Sequence, residues 1–211
     1  MVKIRVLIID DSALIREMLT EILGSRDDIE VVGTAADPFI AREKIKLLSP
    51  DVLTLDIEMP KMTGLQFLHN LMRLRPMPVI MVSTLTERGA PETLEALEMG
   101  AVDYICKPKA NTERKLRIFA DELVGKVRMA STARVQPFNQ NKVGAPVAVS
   151  TAFYSKVIAV GASTGGTEAI KTLLTSVPAN CPPILITQHI PKVFSTSFAE
   201  RLDRYLAMEV F

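Results

Sequence analysis

Val6-Leu7-Ile8-Ile9-Asp10-Asp11-Ser12 is the stretch that decides the fold. Four apolar residues end abruptly in two carboxylates and a serine. The run Lys3–Ile9 reads as a buried strand, and its apolar part is too short for a signal sequence or a membrane span. Beyond it, Leu14, Ile15, Met18, Leu19, Ile22 and Leu23 recur at helical spacing, with Ser12 as N-cap. The same βα unit then repeats. Glu30–Thr34, Asp51–Leu55, Pro78–Ser83 and Ala101–Cys106 read as strands. Pro38–Leu48, Gly64–Leu74, Ala90–Met99 and Asn111–Met129 read as helices. Five strands, each followed by a helix, predict an α/β, doubly wound parallel sheet covered on both faces. Right-handed crossovers bring every strand C-terminus to one edge, where such sheets bind ligands.

The alternation stops between about Ala130 and Ala152, where Ser131-Thr132-Ala133-Arg134-Val135-Gln136-Pro137 and Asn139-Gln140-Asn141 are polar and unperiodic. That stretch reads as a flexible linker. It then resumes with strands at Lys156–Val160 and Pro183–Thr187 and helices at Gly166–Leu174 and Val193–Ala207. The expected organisation is residues 1–125, a linker at 126–153, and a second domain at 154–211. Two βα units make a poor core alone, so this last segment is expected to be the incomplete N-terminal part of a larger domain. The 211 residues are 48% hydrophobic and 23% charged, with 25 Lys+Arg against 24 Asp+Glu. This near-neutral balance offers no footprint for nucleic acid or an anionic membrane. Cys106 and Cys181 are far apart, which argues against a disulfide framework or zinc site and fits a reducing, cytoplasmic compartment.

Asp10 and Asp11 follow the first strand and Asp56 ends the third, so a doubly wound sheet makes them neighbours. Asp10 and Asp11 alone read more readily as acidic residues at a helix N-terminus. With Asp56, Ser83 and Lys107 each at a strand end, the reading becomes a site. Converging carboxylates repel, and coordination of Mg²⁺ relieves that repulsion. With the metal present, one carboxylate can attack a phosphoryl group, Lys107 and Ser83 being placed to meet it. The Lys107–Pro108 bond is a candidate cis peptide that would aim the lysine inward. These residues, with Asp56-Ile57-Glu58-Met59-Pro60-Lys61-Met62-Thr63-Gly64, Met81-Val82-Ser83 and Asp103-Tyr104-Ile105-Cys106-Lys107-Pro108, resemble a response-regulator receiver domain, which is flavodoxin-like. The resemblance implies Asp56 as phosphoacceptor. It implies Mg²⁺ held by Asp11, Asp56 and the Glu58 backbone carbonyl, with Asp10 assisting through water. Ser83 and Tyr104 would be the switch pair and Lys107 the phosphoryl partner.

In the second segment, Gly161-Ala162-Ser163-Thr164-Gly165-Gly166 follows the strand ending at Val160. A glycine-flanked serine between strand and helix can present a nucleophile, with Thr164, Gly165 and Gly166 shaping the turn and facing an oxyanion. His189 lies one strand-to-strand repeat further on. If the two strands are adjacent and parallel, it can serve as base. His69 reads as a helix-surface residue. A phosphate-binding loop would need Gly-Lys-Ser/Thr, whereas Thr167 and Glu168 follow Gly166. The stretches Val160–Ala169 and Thr187-Gln188-His189-Ile190-Pro191, followed by Phe198-Ala199-Glu200-Arg201-Leu202, resemble the start of the catalytic domain of chemotaxis protein-glutamate methylesterases, the CheB family. The resemblance implies phosphorylation-regulated hydrolysis of glutamate methyl esters, and deamidation of glutamines, on methyl-accepting chemoreceptors. A chemotaxis histidine kinase would be the phosphodonor. The esterase step would need no cofactor, and no nucleic acid or membrane insertion is implied. The family's third catalytic residue, an aspartate, is absent from this sequence, and Asp203 reads as a solvated helix residue. The chain alone is therefore expected to have little or no esterase activity. The alternative is a phosphoaccepting receiver module with an inactive esterase segment.

Overall fold

Ser12 does cap the first helix: its Oγ accepts the Ile15 N–H at 3.4 Å. The computed structural model describes residues 2–84, 90–108, 112–135 and 156–211, and the chain divides into two compact units. The first contains β1 (Ile4–Ile9), α1 (Ala13–Gly24), β2 (Ile29–Ala35), α2 (Pro38–Leu48), β3 (Val52–Asp56), α3 (Gly64–Leu74), β4 (Val79–Ser83), β5 (Asp103–Cys106) and α5 (Glu113–Ser131), with α4 (Ala90–Glu98) between β4 and β5. The sheet is wholly parallel in the order β2-β1-β3-β4-β5. This is the expected doubly wound fold. β1, β3 and β4 are near-continuous apolar runs because both faces are covered. Val6, Ile8, Val52, Ile80 and Val82 pack with Leu19 and Leu23 of α1 and Phe119, Leu123 and Val127 of α5. The alternate residues Leu7, Ile9, Leu53, Leu55 and Met81 face the other way and are fully buried.

Two features of the first unit differ from the sequence reading. The helix α5 passes the domain boundary expected at 125. Val127 and Ala130 are buried in the first unit's core, and the Arg128 guanidinium forks onto Asp28 at 2.8 and 2.9 Å. Residues 126–131 are therefore helix, and the rest of the expected linker, from 136, lies outside the described residues. The Lys107–Pro108 bond is trans. No unusual peptide is required, because Lys107 leaves the end of β5 with its N–H on the Ser83 carbonyl at 2.7 Å, already beside the acidic cluster.

The second unit contains β6 (Ile158–Ala162), α6 (Gly166–Thr175), β7 (Ile184–Gln188) and α7 (Lys192–Tyr205). β6 and β7 pair in parallel, from Ile158 opposite Ile184 to Ala162 opposite Gln188. β6 runs two residues further than expected, through Gly161 and Ala162, so the turn before α6 is only Ser163-Thr164-Gly165. Ile170, Leu174 and Leu202 form its small buried core, with Val160, Ile184, Ile186 and Phe198 packed against them. The opposite sheet face is open: Leu185 is 66% exposed. No helix among the described residues is long and apolar enough to cross a membrane.

This contrast in burial predicts unequal local stability. In native-state hydrogen exchange, amides of β1, β3 and β4 should be protected at least about 10-fold more than those of β6 and β7. Equal protection of the two sheets would contradict the packing argument.

Candidate functional site

At the C-terminal edge of the first sheet, the ends of β1 and β3 are neighbours at the point where the strand order reverses. Asp10 is fully buried and Asp56 is 3% exposed, while Asp11 lies in solvent. One oxygen from each comes within 4.8 Å of the others. The Lys107 ammonium stands 2.9 Å from both the Asp10 and the Asp56 carboxylates. Burial raises the Asp56 carboxyl to about 6; Lys107 opposes the rise, and the charge of Asp10 adds to it. Burial also acts against the Lys107 charge, but its two carboxylate partners outweigh that and raise its pKa. The Glu58 N–H reaches Asp56 Oδ1 at 3.4 Å, which brings the loop after β3 over the acidic group. A side chain at Gly64 would strike the Asp56 carbonyl, so the chain can return to start α3 here only as glycine.

Sequence reasoning missed Arg16. Its Nη1 donates to the carbonyls of Asp10 and Asp11 at 2.7 and 2.9 Å, pinning the turn that carries both acids. Only its position one turn into α1 could have hinted at this. Ser83 Oγ donates to the Thr84 carbonyl at 3.2 Å. Tyr104 is 8% exposed, with the Lys126 ammonium 5.4 Å from its ring centroid and itself 2.7 Å from Asp103.

The second constellation lies at the C-terminal edge of β6 and β7. Parallel pairing brings the two turns together, and the His189 N–H donates to the Ala162 carbonyl at 2.9 Å. Ser163 Oγ lies 3.5 Å from His189 Nδ1, and both residues are exposed. The sequence-predicted nucleophile and base are therefore brought together, through Nδ1 and at a distance that modest side-chain rotation can shorten. Gly165 has φ +68°, a left-handed conformation that favours glycine. The Gly166 N–H donates to the Ser163 carbonyl at 2.8 Å, so in this arrangement it is engaged within the turn. Asp203 is exposed and accepts the Val210 N–H at 3.1 Å. Among the described residues no carboxylate is bonded to His189.

Residues 6–118 match the model of the response regulator receiver domain, and residues 158–211 match that of the CheB methylesterase. The chain is 57% identical over 218 residues to a protein-glutamate methylesterase/protein-glutamine glutaminase of Nitrosomonas europaea, an alignment covering 100% of this chain and 61% of that protein. It is 53% identical to one of the same name from Dechloromonas aromatica, over 99% of this chain and 62% of that protein. The chain thus spans about three fifths of the length of these curated relatives. Among solved structures, the response regulator domain of Thermotoga maritima CheB is 48% identical with TM-score 0.57, covering 63% of this chain and 98% of that one. The signal receiver domain of a NarL response regulator from Mycobacterium tuberculosis is 30% identical with TM-score 0.54, covering 64% of this chain and 100% of that one.

The raised Asp56 carboxyl means that ionising this group opposes folding. The unfolded chain releases its proton near 3.8 and the folded chain near 6, so the cost appears as pH rises through that window. Asp56→Asn should stabilise the first unit by about 1–3 kcal/mol in metal-free buffer above this window, read by urea unfolding. The gain should vanish as pH falls below the window. A variant no more stable than the parent at alkaline pH would contradict the desolvation argument.

Proposed function

The chain belongs to the CheB protein-glutamate methylesterase family, and from that premise we propose that it is a phosphorylation-gated hydrolase acting on methylated chemoreceptors in the cytoplasm. The observation that carries the esterase reading is the 3.5 Å approach of Ser163 Oγ to His189 Nδ1. Ser163 Oγ attacks the carbonyl carbon of a glutamate methyl ester while its proton passes to His189 Nδ1. This requires the neutral tautomer with hydrogen on Nε2. The proton then goes to the departing methanol, leaving an acyl-serine. Water attacks that acyl group, giving up its proton to His189; the bond to Oγ breaks, His189 returns the proton to Ser163 Oγ, and glutamate is released. A glutamine substrate follows the same course with ammonia as the leaving group.

The receiver supplies the gate. Asp56 attacks the phosphorus of a phosphohistidine on the donor kinase, the P–N bond breaks, and the imidazole leaves. Three carboxylates against one ammonium leave the cluster at about −2, which a divalent cation neutralises. Asp10 Oδ2 is buried with no well-directed hydrogen bond, and the donor set is all oxygen, as Mg²⁺ prefers. Asp11, Asp56 and the Glu58 carbonyl would hold the ion, with Asp10 acting through water. When bound, Mg²⁺ supplies charge neutralisation to the transferring oxygens. Lys107 orients the phosphoryl group, and Ser83 and Tyr104 respond to it.

A second reading, a phosphoacceptor with a silent esterase segment, is favoured by one observation: no described carboxylate orients His189. In the serine-protease template, loss of the correct tautomer costs about 10⁴ in turnover. Hydrolysis by this chain is accordingly expected to be slow.

Two measurements separate the readings. Incubation with acetyl phosphate and Mg²⁺ should give a hydroxylamine-labile phosphoprotein, lost in Asp56→Ala and on chelation. An alkyl fluorophosphonate should form an adduct at Ser163, absent in Ser163→Ala and slowed about 10²–10⁴-fold in His189→Gln. Phosphorylation without any serine adduct supports the silent-segment reading. An adduct of equal yield in Ser163→Ala contradicts the assignment of the nucleophile.

A further inference from the structure

The last residue of β7 has no role in the chemistry described so far. Gln188 Nε2 donates to the Ser163 carbonyl at 2.8 Å and to the His189 carbonyl at 3.2 Å. One carboxamide therefore ties the nucleophile's turn to the base's turn. Two donations from the same nitrogen fix the amide's orientation, since a flipped group would set oxygen against two carbonyl oxygens. The Ser163 carbonyl accepts from two sides, from Gln188 Nε2 and from the Gly166 N–H at 2.8 Å. Both its lone pairs are then engaged, and the Ser163–Thr164 peptide plane is held. Across that trans peptide the Thr164 N–H points away from the carbonyl. In strand–turn–helix hydrolases the N–H of the residue after the nucleophile is an oxyanion donor.

Gly166 supplies an independent observation. A Cβ there would strike Gln188 Oε1, and would come within 2.7 Å of the Ala162 Cβ. Oε1 is buried without a hydrogen-bond partner. The carboxamide has thus been accommodated in a tight space at the cost of an unsatisfied oxygen, and a glycine makes the room. A side chain that served only to fill volume could be apolar here and leave nothing unpaired.

We infer that Gln188 is a positioning residue for the serine–histidine pair: it holds the Ser163–Thr164 peptide and the His189 backbone in one register, and Gly166 exists at the start of α6 to admit it. The inference rests on the esterase reading above for its consequence in rate, but not for its geometry. Gln188→Met keeps length and volume and removes both donors. Gly166→Ala displaces the carboxamide from the opposite side. In the full 211-residue chain, both variants should lower the maximal rate of Ser163 phosphonylation by an alkyl fluorophosphonate by about 10–100-fold. The concentration of probe at half-saturation should stay within about twofold, because the clamp orients the reacting groups and does not bind the probe. Both should also weaken the NMR cross-relaxation between the Ser163 β-protons and the His189 ring.

Unchanged labelling and unchanged cross-relaxation in Gln188→Met overturn the inference. So does a Gln188 side-chain amide in the unaltered chain that shows no contacts to Ser163 or His189; this measurement stands even where a variant fails to fold. An unaltered chain that takes no probe, yet loses the Ser163–His189 contact in Gln188→Met, sinks the esterase reading and leaves the positioning role supported.

Discussion

One ammonium shared between two buried carboxylates sets the electrostatics of the first unit. Lys107 stands equally close to Asp10 and Asp56, and among the described residues neither acid pairs with another cation. Removing such groups from water costs several kcal/mol per ion, and one lysine cannot compensate both carboxylates and exposed Asp11 as well. The sheet supplies the compensation geometrically. Hydrophobic burial of β1, β3 and β4 on both faces forces their ends together, and the carboxylates must accept the proximity. The site is thus a local instability held by the core beneath it. Sites of this kind bind cations because binding relieves a repulsion already built in.

The two constellations obey the same topological rule with opposite solvation. Each lies past the C-terminal ends of adjacent parallel strands, where turns from neighbouring units converge. The acidic site is buried, so its charges interact strongly and Asp56 titrates far from its ordinary range. Ser163 and His189 are exposed on a two-stranded sheet with one open face. Water at ordinary dielectric weakens the donors that would stabilise an oxyanion. On the proposed esterase reading, chemistry at the second site would depend on orientation more than on field strength. Ties such as the His189–Ala162 bond and the Gln188 carboxamide would then carry a larger share of the work.

The sequence made the architecture legible because its signals were local. Apolar runs of strand length, helical spacing after Ser12, and acids or hydroxyls at run ends need no knowledge of the fold. Asp10, Asp56, Ser83 and Lys107 were singled out this way, and Ser163 with His189; the structure brings the carboxylates to Lys107 and the serine to the histidine. What escaped depends on contacts between segments distant in sequence. Arg16 looks like any helix-surface arginine until its guanidinium meets the carbonyls of Asp10 and Asp11. Gln188 looks like the end of a strand until Ser163 arrives beside it. Gly166 offered an N–H in sequence, but that N–H is engaged within the turn, and the space its missing Cβ leaves for Gln188 shows only in the folded chain. The helix α5 was legible to within two residues of its end at Ser131, but the boundary set at 125 cut through it, because the burial of Val127 and Ala130 and the Arg128–Asp28 fork that tie its last turns to the first unit are contacts between distant segments.

On the proposed reading, these contacts also specify how a phosphoryl group at Asp56 would be felt elsewhere. The ammonium of Lys107 is already divided between β1 and β3, and its backbone N–H is bonded to Ser83 at the end of β4. A phosphoryl group claims that ammonium only by drawing it from Asp10 or from the Asp56 carboxylate. The same residue thus connects charge at the third strand to backbone at the fourth and fifth. Tyr104, two residues into β5, is buried under Lys126, which is itself anchored to Asp103 in the same strand. A ligand shifts an equilibrium only by its differential interaction with the two states. Here the differential interaction has a physical carrier, the reallocation of one buried lysine, and the element it biases is the β4–β5 edge that bears Ser83 and Tyr104.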